Sequence, residues 1–203
     1  MPWPPLTRFA TRRRIPRWHV ILRRRSGSSL IKPMPATEEL LSTLMKRACA
    51  MAKESVPLGF DIARIEPTLR KLPGGSATEL EPLFVSLWPA ESFHAGTVEL
   101  FGADRINQEH DGLLPGCVVI QHGFLGIGGN GGNLFSYCIA DSRVYFLESD
   151  YFSEDAVYAR PWDRMDISPE NIKAAAAPES WDSLASFFHW AISELAKLEA
   201  ENS

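Results

Sequence analysis

The stretch 116–151, GCVVIQHGFLGIGGNGGNLFSYCIADSRVYFLESDY, decides the fold. It holds three strand-like runs, with a glycine-rich segment after the first and a tight turn after the second, which is the pattern of an antiparallel meander. With Phe124 opposite Asn133 and Asp141-Ser142 as a two-residue turn, the register follows. Val118 faces Ile139, which faces Val144; Ile120 faces Tyr137, which faces Phe146; His122 faces Phe135, which faces Glu148. That face is apolar until its last row. The opposite face, with Cys117, Val119, Cys138, Tyr145 and Leu147, is also largely apolar and needs a covering layer.

Helical patterns flank the meander on both sides. Thr37 as N-cap, Glu38 and Glu39 in the first turn, and Leu40, Leu41, Leu44, Met45, Ala48 and Met51 at helical spacing predict a helix ended by Pro57 and Gly59. Ile62, Ile65, Leu69 and Leu72 are interrupted by Pro67 and read as short turns. TELEPLFVSLW carries capping-box spacing at Thr78 and Glu81 and one stripe of Leu80, Leu83, Phe84 and Leu87. TVELFG at 97–102 reads as a strand, DRINQEHDG as a polar loop, and Ala156–Ala159 as a short edge strand. A long helix from Trp181 to about Leu198, capped by Ser180, presents Leu184, Phe187, Phe188, Ala191, Leu195 and Leu198 on one face. The expected fold class is α+β: a central antiparallel sheet with a three-stranded meander, flanking helices and a long C-terminal helix.

The formal charge of −4 conceals an asymmetry, because residues 1–33 carry nine of the 21 Lys+Arg and none of the 25 Asp+Glu. The remainder holds 12 basic and 25 acidic residues, a balance of −13. We expect 1–33 to be a basic, disordered leader that adds nothing to the fold, and 34–203 to be a single domain. WHVIL is too short for a secretory signal, and no run is long and apolar enough for a membrane span. Three cysteines without CxxC spacing favour reduced thiols and a cytoplasmic setting.

Catalytic and ligand-holding patterns fail on context. Gly126, Gly128 and Gly131 match G-x-G-x-x-G, but a strand follows where a phosphate-binding helix N-terminus is required. Ser136 or Cys138 with His122 and Asp141 supplies the atoms of a nucleophilic relay, yet the register puts His122 on the other sheet face. Zinc held by Cys117, His122 and Cys138 meets the same objection. His94 and His110 fall in polar segments and read as solvated, and His189 as a boundary residue of the last helix. Expected catalytic residues, metal ligands and cofactors are therefore none. His122, Phe135 and Glu148 form a polar rim at the loop end of the sheet.

The run ESDYFSEDAVYARPWDRMD, 148–166, interleaves aromatic rings with carboxylates. Glu148, Asp150, Tyr151, Glu154, Asp155, Trp162, Asp163 and Asp166 are the candidate partner-binding residues: rings supply desolvated contact and carboxylates steer a basic partner. The −13 balance repels nucleic acid.

A helix with LP and a second helix, the strand VELFG, the segment LLPGCVVIQHGFLGIGGNGGNLFSYCIADSRVYFLESD and the closing SWDSLASFFHWAISEL together resemble the SUKH superfamily over about residues 60–198. The superfamily comprises the fungal cell-wall assembly regulator and bacterial relatives, many of them immunity proteins against polymorphic toxins. Gly128–Gly132 stand for its glycine-rich loop and Ser183–Phe188 for its closing helix. The resemblance implies a non-catalytic protein that captures a cognate toxin by stoichiometric blockage, and the −13 balance suits a cationic toxin or a nuclease as that partner. Two alternatives differ in class: a regulatory or scaffold domain of the same kind, and a small hydrolase or nucleotide-binding enzyme built on the glycine loop.

Overall fold

The computed structural model describes residues 36–149, 167–176 and 180–201. The leader 1–33 and the expected edge strand at Ala156–Ala159 lie outside the described residues. The fold is α+β. One six-stranded antiparallel sheet follows the order β1-β2-β3-β4-β5-β6, so each strand pairs with its sequence neighbour. Its strands are β1 Phe93–Ala95, β2 Val98–Leu100, β3 Phe124–Asn130, β4 Asn133–Cys138, β5 Arg143–Leu147 and β6 Ser180–Trp181. The helices are α1 Thr37–Ala52, α2 Glu66–Leu69, α3 Glu81–Ser86, α4 Ala103–Gly112, α5 Gly116–Val119, α6 Pro169–Ala175 and α7 Leu184–Glu201. None of the described helices is long and apolar enough to cross a membrane.

The meander is real but starts later than expected. Val118 and Ile120 lie in α5 and the 3-10 turn Ile120–His122, and the glycine segment is itself strand β3. Phe124 pairs with Cys138, Gly126 with Ser136, and Asn130 with Asn133 across the turn Gly131-Gly132, with a bulge at Ile127. Tyr137 faces Val144 and Phe135 faces Phe146. The β4–β5 pairing thus differs from expectation by two residues, which leaves side-chain direction unchanged because the strand repeat is two, whereas β4 meets β3 five to six residues further along the chain than expected. Tyr137, Val144 and Phe146 do share a face; Val118, Ile120 and Ile139 are not part of it. The reason for the misplacement is steric. A Cβ on Gly128 would lie 2.6 Å from the backbone oxygen of Glu99, and one on Gly129 would lie 2.9 Å from the Phe101 ring. These glycines let β2 and its neighbours approach β3, rather than bending a loop.

Each sheet face has its own cover. Phe135 packs against Phe146, Trp181, Phe187 and Trp190 with ring centroids 5.0–5.7 Å apart, joining one face to α7. In α7 the residues Leu184, Phe187, Phe188, Ala191 and Leu195 are buried, and α1 adds Leu40, Leu41, Leu44, Met45 and Ala48 to the same core. Helix α1 ends at Ala52, with Lys53 in the left-handed region, and its first residue is Thr37, preceded by Ala36 without a side-chain cap bond. At the other end of the chain, Ser180 and Trp181 form edge strand β6 rather than capping α7. The cap is Ser183, whose Oγ accepts the Ser186 N–H at 3.1 Å while the Ser186 Oγ accepts the Ser183 N–H at 3.0 Å.

The opposite sheet face meets α4, which replaces the expected polar loop. Its buried residues are Ala103, Ile106, Glu109 and His110. Trp88, fully buried, donates its indole N–H to the Phe101 carbonyl at 2.8 Å and ties the segment after α3 to the sheet.

Candidate functional site

The expected partner-binding run begins at the end of β5. Glu148 follows Leu147 and is half-buried; Asp150, Tyr151, Glu154, Asp155, Trp162, Asp163 and Asp166 lie outside the described residues. The expected rim of His122, Phe135 and Glu148 is not assembled. His122 ends the 3-10 turn before Phe124, at the end of β3 where Ile139 N–H donates to the Gly123 carbonyl. Glu148 lies at the opposite end, beyond the Leu134–Leu147 pair.

The other sequence candidates also separate. Gly126 and Gly128 belong to β3, and the Gly126 amide is already engaged as a donor. Ser136 is fully buried in β4, and its hydroxyl has no hydrogen-bond partner. Cys117 lies on α5 and Cys138 in β4, and all three cysteines are free. Among the described residues no group of three or more His, Cys, Asp or Glu is arranged to hold a metal ion.

His110 is the principal correction. It is buried rather than solvated, at 2% exposure. Its Nε2 accepts the Gly126 N–H at 2.9 Å and its Nδ1 stands 2.9 Å from the Gly116 carbonyl. The backbone donor and acceptor therefore assign the proton to Nδ1 and a neutral ring. Burial lowers its pKa to about 4, with nearby Lys71 acting in the same direction. Beside it Glu109, at 4% exposure, is pushed above the usual carboxylate range by burial, while Arg105 at 3.4 Å and the Gly116 backbone pull the other way. These two side chains clamp α4 to α5 and β3. A Cβ on Gly116 would lie 2.6 Å from the Glu109 carbonyl oxygen.

A second polar assembly holds the turn between β4 and β5. Asp141 accepts the Tyr145 hydroxyl at 2.8 Å, the Arg143 N–H at 3.2 Å and Lys173 of α6 at 2.8 Å. Burial opposes ionisation of Asp141, but Lys173 and Tyr145 hold its pKa below the ordinary value. The Tyr145 phenol is pushed up to about 12, by burial first and by its bond to Asp141 second. On the other side of the turn Glu79 accepts two neutral donors, the Tyr137 hydroxyl and the Ser142 hydroxyl, the latter at 3.0 Å. A cavity of about 410 Å³ opens here, with Thr37, Glu38, Glu79, Leu83, Ser142 and Ser183 among its walls. It lies where the N-termini of α1 and α7 converge on the β4–β5 turn.

No family model, curated protein or solved structure matches the chain.

The signals that could have revealed these features are faint. His110 occupies position i+4 from Ile106 in a segment with few apolar residues, so helical spacing was present without a hydrophobic stripe. Glu79 and Ser142 are separated by 63 residues and meet only through the sheet.

Proposed function

We propose that this chain is a non-catalytic binding protein that captures a basic protein partner, in the manner the SUKH resemblance implies for a toxin and its immunity protein. The observation that supports this reading is the way charge is distributed. Every described Lys and Arg except Lys46 and Lys53 forms an ion pair with a carboxylate of the chain itself. Glu38, Glu39, Glu54, Glu79, Glu91, Glu99 and Glu148 have no such cation among the described residues. Among the described residues the unpaired charge left for a partner is therefore almost all negative, which attracts cationic proteins and disfavours nucleic acid.

The partner surface we assign is the acidic, aromatic run from Glu148 through Asp150, Tyr151, Glu154, Asp155, Trp162 and Asp163 to Asp166. The test is to isolate the basic protein that co-purifies with the full chain and to measure association and dissociation over a range of salt. Reversing Asp150, Glu154 and Asp155 to lysine should slow association and flatten its salt dependence, and replacing Tyr151 or Trp162 should speed dissociation. Rates unmoved by the charge reversal would remove this surface from the reading.

A further inference from the structure

We infer that the cavity beside the β4–β5 turn is a receptor for one lysine or arginine side chain presented by the basic partner. This inference rests on the binding reading above and extends it by naming a point of contact.

The central group is Glu79. Both of its carboxylate oxygens are oriented by hydroxyl donors, from Tyr137 and Ser142, and neither donor carries charge. Tyr137 is buried at 2% exposure, so the carboxylate is fixed to the sheet rather than swinging on its stem. A carboxylate held this way has lone pairs free for a charge-assisted bond. Glu38 supplies a second carboxylate on the same cavity, and Thr37, Ser142 and Ser183 add hydroxyls. Leu83 and Leu184 provide apolar wall for the methylene stem of a long cationic side chain. A volume of about 410 Å³ accommodates such a side chain.

Among the described residues no cation is placed to occupy it. The nearest basic groups along the turn are already engaged, Lys173 with Asp141 at 2.8 Å and Arg143 with Asp182 at 2.9 Å. The two described lysines without an ion pair lie further along α1 and at its C-cap, Lys46 about 13 Å and Lys53 about 24 Å from Thr37 at the helical rise. The converging helix ends would favour an anion instead, but each is already compensated. Glu38 stands in the first turn of α1, and Ser183 and Ser186 cap α7 reciprocally.

The test is a titration of the full chain, observed by backbone amide NMR, with N-acetyl-arginine methylamide. The neutral isostere N-acetyl-citrulline methylamide and inorganic phosphate serve as controls. The expected result is saturable movement of the Thr37, Glu38, Glu79, Ser142 and Ser183 amides with the arginine compound, weakened by salt and absent with citrulline. Glu79→Gln should reduce affinity by about tenfold or more, the loss of one charge-assisted contact. Glu38→Gln, which disturbs no hydrogen bond among the described residues, should reduce it by a smaller factor and serves if Glu79→Gln fails to fold. Equal shifts with citrulline, a response to phosphate in place of arginine, or unchanged affinity in both variants would overturn the assignment. A capped octa-arginine peptide separates the two levels of the reading. Binding with shifts confined to other residues would overturn the cavity and leave the basic-partner reading standing, whereas no binding at all would overturn both.

Discussion

His110 on α4 receives the backbone N–H of Gly126 on β3 at 2.9 Å, next to the bulge where the register of β3 and β4 shifts. A protonated imidazole has no lone pair for that donor, so charging His110 breaks the clamp as well as burying a cation. Its folded pKa of about 4 lies below the ordinary 6.5. The unfolded chain therefore binds the proton first, and the stability His110 contributes is complete above pH 6.5 and lost as pH falls towards 4. At roughly 1.4 kcal/mol per pH unit of separation, the loss amounts to about 3 kcal/mol. Glu109, with its raised pKa, acts in the opposite direction over its own range. Urea unfolding at a series of pH values should show the decline, and His110→Gln should be less stable at pH 7 but lose this part of the slope.

Glycines of β3 and of the following turn should differ sharply when changed to alanine. At Gly128 the new Cβ would lie 2.6 Å from a backbone oxygen that cannot rotate away, so Gly128→Ala should cost about 3 kcal/mol by overpacking. At Gly131 there is open space and φ is +58°, so the cost should be the left-handed strain alone, about 1 kcal/mol. Equal denaturation midpoints for the two variants would contradict the strand assignment.

Ser136 and Tyr137 make a matched pair of tests on adjacent residues. The buried Ser136 hydroxyl lacks a partner, so Ser136→Ala should be neutral or slightly stabilising. Tyr137→Phe removes the donor to Glu79 and should cost about 1–2 kcal/mol. Thermal melts of both variants against the parent chain decide the order.

Phe135 is the aromatic centre of the face beneath α7, while Phe146 beside it is only partly buried. Phe135→Ala should therefore cost about 3–5 kcal/mol and Phe146→Ala distinctly less. Chemical denaturation with both variants checks the ranking.

The elements that were legible in the sequence are those with a continuous apolar stripe. Helix α1 announced Leu40, Leu41, Leu44, Met45 and Ala48, and α7 announced Leu184, Phe187, Phe188, Ala191 and Leu195, all of them buried. Two kinds of residue misled. In β3 glycines read as a loop because glycine weakens an isolated strand, and the close approach of Glu99 and Phe101 that requires them is a tertiary fact. In 117–120 the β-branched run suggested a strand, but burial of Val119 and Ile120 in a short helical turn prevailed over that preference. The candidate site was less legible than the fold. Its cavity is assembled from α1, the segment before α3, the β4–β5 turn and α7, which no local pattern connects.

The packing of α1 on α7 has a consequence for synthesis. Arg47 and Glu199, which form an ion pair between the two helices, are 152 residues apart, so the first described helix to be made finds its partner only after the whole sheet has been translated. Until then a nascent chain displays the apolar side of α1 and one bare side of the sheet to solvent or to whatever chaperone meets it. A translational pause within 184–201 would prolong that exposure, and synonymous codons that slow the ribosome there should lower the yield of native protein without altering a single residue.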